Sequence, residues 1–132
     1  MTEDSHYVVE ESAPLYRSLR IYEAAGDLSD EVWDLVAAWP GLARETVGKQ
    51  LIRAADSIAA NLSEGSGRGT TMEILRFARI ARGSLCETQH WIRRAAKRSL
   101  IEQPTATEIE DELTVLLKQL NAYITAQKRK LP

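Results

Sequence analysis

Apolar residues recur along this chain at helical intervals. Ile21, Ala25, Leu28, Val32, Leu35 and Trp39 are spaced four, three, four, three and four apart, which lines all six along one side of a helix. Pro40 and Gly41 end that helix, because proline disfavours the α conformation before it and donates no backbone hydrogen bond. Val47, Leu51, Ala54, Ala55, Ile58 and Leu62 form a second stripe, and the three glycines of Gly65-Ser66-Gly67-Arg68-Gly69 predict a turn after Glu64. Thr70 and Glu73 have capping-box spacing and open a third stripe: Ile74, Phe77, Ala78, Ala81, Leu85, Thr88, Ile92 and Ala95. Pro104 breaks the chain again. Thr105 with Glu108, or Thr107 with Glu110, then caps a fourth helix carrying Ile109, Leu113, Leu116, Leu120, Tyr123 and Ile124 and ending near Lys128-Arg129-Lys130.

The predicted helices span about 20–39, 43–64, 70–99 and 105–129, with no competing strand. Connections this short favour antiparallel neighbours, so the fold class is all-α, an up-down-up-down antiparallel four-helix bundle over residues 19–130. Residues 1–18, with Ser12-Ala13-Pro14 and mixed polarity, read as an N-terminal arm, partly extended or mobile.

At 132 residues, 44% hydrophobic and 27% charged, the chain is sized and composed for one globular domain. A lone cysteine, Cys86, forms no internal disulfide, and no Cys/His cluster has zinc-like spacing. No apolar run reaches the roughly 18 residues of a membrane span, and Met1-Thr2-Glu3-Asp4 lacks the basic start of a secretory signal. These features predict a cytoplasmic protein with no metal, cofactor or membrane partner.

Catalytic chemistry finds little support. His6 falls in the arm, His90 lies off the apolar stripe of helix three, and neither has a Ser, Cys or Asp placed in sequence to make a triad. Cys86 reads as a small half-buried residue. Glu10-Glu11, Asp30-Glu31 and Glu110-Asp111-Glu112 suit helix starts and solvated faces. Ser66-Gly67-Arg68-Gly69 follows a helix and lacks a Lys-Ser/Thr ending, so a plain turn is favoured over a phosphate cradle. The reading is therefore of a protein that is not an enzyme; enzymatic use of Asn61, Glu64 and Arg68 requires a deep pocket at the turn between helices two and three.

The net charge of −2 hides segregation. Residues 1–43 carry nine acids and two bases, residues 44–98 five acids and eleven bases, and residues 99–132 five and four. Arg76, Arg79, Arg82, Arg93, Arg94 and Lys97 are expected opposite the apolar stripe of helix three, as a cationic ridge able to contact phosphates or simply as a solvated face. Arg53, Ser57, Asn61, Glu64 and Arg68 make a polar stripe on helix two. With Arg82, Gly83, Ser84 and Glu87 they form either a network between helices two and three or a subunit contact. Gly83, costly inside a helix, points to close approach of another backbone. Trp33 and Trp91 lie off the main stripes and either mark an interface or widen the core.

The run from Gln50 to Arg68, QLIRAADSIAANLSEGSGR, followed by Phe77 to Glu87, FARIARGSLCE, resembles the signature of the four-helix bundle proteins related to the 23S ribosomal RNA intervening-sequence protein. Arg53, Ser57, Asn61, Glu64, Gly65, Arg68, Arg82, Gly83, Ser84 and Glu87 carry the resemblance, which extends over roughly residues 19–125. It implies an up-down bundle assembled as a homopentamer without enzymatic activity. Some relatives are encoded within inserts of ribosomal RNA genes. More distant ones, the accessory proteins of diversity-generating retroelements, bind nucleic acid and a reverse transcriptase and are markedly basic, unlike this chain. The expected partners are accordingly other copies of the chain, RNA or DNA through the basic face of helix three, and a nucleic-acid enzyme. The alternative is a protein–protein scaffold that binds no nucleic acid.

Overall fold

The computed structural model describes residues 13–132, and side-chain environments from residue 18 onward. Four long helices account for nearly all of it. Helix α1 is Ala13–Ala37. Helix α2 runs continuously from Gly41–Ala43 through a π-helical turn, Arg44–Gly48, into Lys49–Arg68. Helix α3 is Thr71–Lys97 and α4 is Gln103–Lys128. No strand occurs among the described residues.

Each helix packs on its neighbours in the chain, and α1 also packs on α4, so α1 and α3 stand diagonally across the bundle. The predicted stripes meet in one core. Ile21, Ala25, Leu28, Val32 and Trp39 of α1 are buried, as are all six stripe residues of α2 and all six of α4. On α3 the stripe is buried from Phe77 to Ala95, including Thr88, whose hydroxyl donates to the Ser84 carbonyl at 2.8 Å. Burying each Leu or Ile fully contributes roughly 1.5–3 kcal/mol, so the seam dominates stability. Leu35 and Ile74 are half-buried at its margin, while Val36 and Leu75, outside the stripes, are fully inside.

The helix ends differ from the sequence expectation in instructive ways. Helix α1 begins at Ala13, within the predicted arm, because Pro14 sits in the first turn, where a missing N–H breaks no helical hydrogen bond. The rest of the arm, His6 included, lies outside the described residues. Helix α2 does not turn at Gly65 but continues to Arg68, with Gly69 in the left-handed region at φ 81° as its cap. Gly65 is buried in the helix, and a Cβ there would lie 2.9 Å from Phe77 Cβ and 3.4 Å from Ile74 Cα. Its role is close helix approach, the one the sequence assigned to Gly83, which instead has open space around it.

The junction between α2 and α3 is thus Gly69 and Thr70 alone. Thr70 Oγ1 accepts from the Glu73 N–H at 3.2 Å, as the capping spacing predicts. Helix α3 ends in a Schellman arrangement: the Leu100 N–H reaches the Ala95 carbonyl and the Ser99 N–H the Ala96 carbonyl, with Ser99 at φ 60°. Pro104 does not precede α4 but lies in its first turn after Glu102, so Thr105 and Thr107 are already helical and cap nothing. Gly48, inside the π-helical turn, is pressed against α1: a Cβ there would lie 2.5 Å from Val36 Cγ1.

Candidate functional site

The outer face of α3 carries the cations singled out from sequence, but not as one continuous ridge. Arg82 and Arg93 turn toward α4, where Arg82 Nη1 donates to Asn121 Oδ1 at 3.1 Å and Arg93 Nε to Glu110 Oε1 at 2.6 Å. Helical spacing places them on the flank of the apolar stripe rather than opposite it, within reach of a neighbouring helix. Arg76 pairs with Glu73 at 3.0 Å and lies over the Phe77 ring, 4.5 Å from its centroid. Arg79, Arg94 and Lys97 have no side-chain partner among the described residues. Arg79 and Lys97 are exposed and Arg94 is half-buried, so three uncompensated charges remain, one in the third turn of the helix and two in its last.

Between α2 and α3 the polar stripe assembles in part. Ser57 Oγ and Ser84 Oγ are 2.9 Å apart across the seam, and Asn61 Nδ2 donates to both Ser57 O and Ser57 Oγ at 2.8 Å. Glu64 and Arg68 pair within α2 at 2.9 Å, and Arg68 also reaches over Phe77. Glu87 accepts from Trp91 Nε1 at 3.2 Å on its own helix, and Arg53 has no side-chain partner among the described residues. The seam is therefore a short Ser–Ser–Asn network beside the close contact of Gly65, not one system spanning every residue of the motif. Beside the α2–α3 turn a solvent-open cavity of about 480 Å³ between α1 and α2 reaches Ser63 and Glu64 from Tyr22, Ser29 and Asp56, and a smaller one of about 130 Å³ is lined by Ser18, Tyr22, Leu62 and Ser66.

With this architecture in hand, comparison with known proteins is decisive for the family. A model described as 23S rRNA-intervening sequence protein matches residues 17–122. The chain belongs to that family. A crystal structure from Bacteroides thetaiotaomicron VPI-5482, of a protein with unknown function from the S23 ribosomal protein family, is similar with a TM-score of 0.75. Its identity is 19%, over 83% of this chain and 98% of that one, a likeness of fold. No curated protein matches the sequence.

In this member of the 23S rRNA-intervening sequence family, two further surfaces stand out. A groove of about 450 Å³ lies between α1 and α2, lined by Trp33, Val36 and Ile52 and rimmed by Arg44, Lys49 and Arg53. Trp33 is 60% exposed, whereas Trp91 packs against the core. Between α1 and α4 an apolar cleft holds Leu28, Val115 and Leu116, edged by Asp27, Asp111 and Glu112. There Glu112 is pushed up to about 7 by partial burial, by its hydrogen bond with Glu31, and by the charges of Glu31 and Glu108. Cys86, expected half-buried, is exposed, and His90 stands edge-on to Trp91. Among the described residues no three His, Cys, Asp or Glu are grouped to hold a metal ion, and no helix is long and apolar enough to cross a membrane.

Sequence spacing did not find Asn121 or Glu110 as arginine partners, the Ser29–Asp56 hydrogen bond between α1 and α2, or the Glu31–Glu112 pair. Each joins different helices, and periodicity within one helix says nothing about register between two.

Proposed function

We propose that this chain is a non-enzymatic homo-oligomeric bundle, with antiparallel up-down-up-down helices, that associates in the cytoplasm with nucleic acid or a nucleoprotein through the outer face of α3. Antiparallel neighbours are supported by residue pairs whose numbers run in opposite directions: Ser57 with Ser84 and Gly65 with Phe77, then Arg82 with Asn121 and Arg93 with Glu110. The observation that carries the nucleic-acid reading is the set Arg79, Arg94 and Lys97, cations left uncompensated on one helix of an acidic chain. From Arg79 to Lys97 is about 27 Å along the axis at 1.5 Å per residue, enough to span several phosphates of a single strand. Arg82 and Arg93 position α4 in this reading, and Arg76 is shared between Glu73 and a ligand. A protein scaffold without nucleic-acid binding is the second reading, favoured by the exposed Trp33 beside its groove.

The test is titration of the purified chain against labelled mixed-sequence RNA and single-stranded DNA, at low and near-physiological salt. Replacing Arg79, Arg94 and Lys97 together by Gln is expected to lower affinity at least about tenfold and to flatten the salt slope by about two. Unchanged affinity in a variant of unaltered helicity, or no binding by the parent chain even at low salt, overturns the assignment.

A further inference from the structure

We infer that the Trp33 groove of one copy receives the α1–α4 edge of a second copy, so that the chain associates with itself head to tail. This rests on the oligomeric part of the function proposed above and names the surfaces that would build the assembly.

The groove has the make-up of an interface centre. Trp33 is 60% exposed over a floor of Val36 and Ile52, and aromatic residues and arginine are what the buried centres of protein contacts enrich. Its rim sets three cations, Arg44, Lys49 and Arg53, against one acid, Glu45. Lys49 and Arg53 have no side-chain partner among the described residues, and Arg44 has only Glu45, at 3.8 Å with both side chains well exposed.

The α1–α4 edge is its complement in sign and in layout. Val115, 56% exposed, stands beside carboxylates from both helices: Asp27 and Glu31 of α1, and Glu108, Asp111 and Glu112 of α4. No Lys or Arg lines this cleft. The carboxylates crowd closely enough that Glu31 and Glu112 share a hydrogen bond, an arrangement that needs a proton in the isolated chain and that an incoming cation would relieve. Each surface thus has an apolar centre and a charged rim, with rims of opposite charge, and such complementarity both steers association and fixes orientation.

Placement decides the kind of assembly. Trp33 and Glu31 are two residues apart on α1, which sets them at one level of the bundle on its two flanks, one facing α2 and the other α4. Different patches on opposite flanks join copies heterologously, and such a contact yields a ring when its rotation closes. The helix between the contacts is α1, which leaves the diagonal helix α3 and its cations open.

Three variants of the full chain test this, with mass followed by light scattering against concentration and folding by circular dichroism. Lys49→Glu with Arg53→Glu reverses the groove, Glu31→Lys with Glu112→Lys reverses the edge, and the third variant carries all four. Each pair alone is expected to raise the concentration needed for assembly on the order of a hundredfold, and the combined variant to recover the parent mass. A parent chain that is monomeric throughout overturns the oligomeric reading itself. A parent oligomer whose mass survives both pairs overturns only the surfaces named here. Loss of RNA binding in the groove variant with unchanged mass also overturns them, by making the groove a nucleic-acid site.

Discussion

Gly65 of α2 rests against Phe77 of α3, where a single added methyl group would come within 2.9 Å of the Phe77 Cβ. The neighbouring atoms are the rigid base of a side chain and the backbone at Ile74, so neither can swing aside. Gly65→Ala is expected to destabilise the bundle by about 1–3 kcal/mol, the usual cost of overpacking a tight contact. Gly67, two residues on, has nothing within 4 Å of an added Cβ, and Gly67→Ala is expected to stabilise by about 0.5–1 kcal/mol through helix propensity. Urea denaturation of the two variants checks the contrast; equal effects would mean that Gly65 is not a packing residue.

Glu112 makes stability depend on pH. Folding raises its pKa from 4.5 to about 7, so the folded chain holds a proton that the unfolded chain has released. The stabilisation from that proton is fully present below 4.5 and is lost as pH rises through 7. The edge is therefore more stable at pH 5 than at pH 8. Glu112→Gln, which keeps a hydrogen-bonding amide without the charge, should flatten the dependence between those values and raise the melting temperature at pH 8. Thermal denaturation at both values, at protein concentrations too low for assembly, measures it, and an unchanged pH profile would remove Glu112 from this role.

The Ser57–Ser84 contact joins α2 to α3, and Asn61 braces it with a hydrogen bond to the Ser57 hydroxyl. Ser57→Ala and Ser84→Ala are each expected to cost about 1 kcal/mol, and the double variant about 0.5–1 kcal/mol less than their sum. A double-mutant cycle gives the coupling directly. Strict additivity would show that the two hydroxyls do not act on each other.

Much of the bundle was legible because burial here follows helical period closely: the stripes predicted on α2 and α4 are wholly buried, and those on α1 and α3 nearly so. Helix ends were less legible. Proline and glycine carry two meanings that spacing does not separate, and Pro14, Gly65 and Pro104 all took the helical one. The π-helical turn at Arg44–Gly48 has no signature in apolar spacing, since Val47 remains buried through it. Of the candidate site, the residue types were evident and their facing was not. Arg79 and Arg93 look alike in sequence, yet one points to solvent and the other lies against Glu110, because the difference is set by where α4 passes.

The brevity of the Gly69-Thr70 junction bears on how the chain folds as well as on what it looks like. Closing a loop costs entropy that grows with its length, and this link is shorter than the three residues between α1 and α2 or the five between α3 and α4. Helices α2 and α3 can therefore find each other first, with the left-handed glycine and the threonine cap aiming them before any distant contact exists. The hairpin they form holds the polar stripe from Arg53 to Glu87 that stands out in the sequence, so that stretch is also the segment placed to nucleate the bundle.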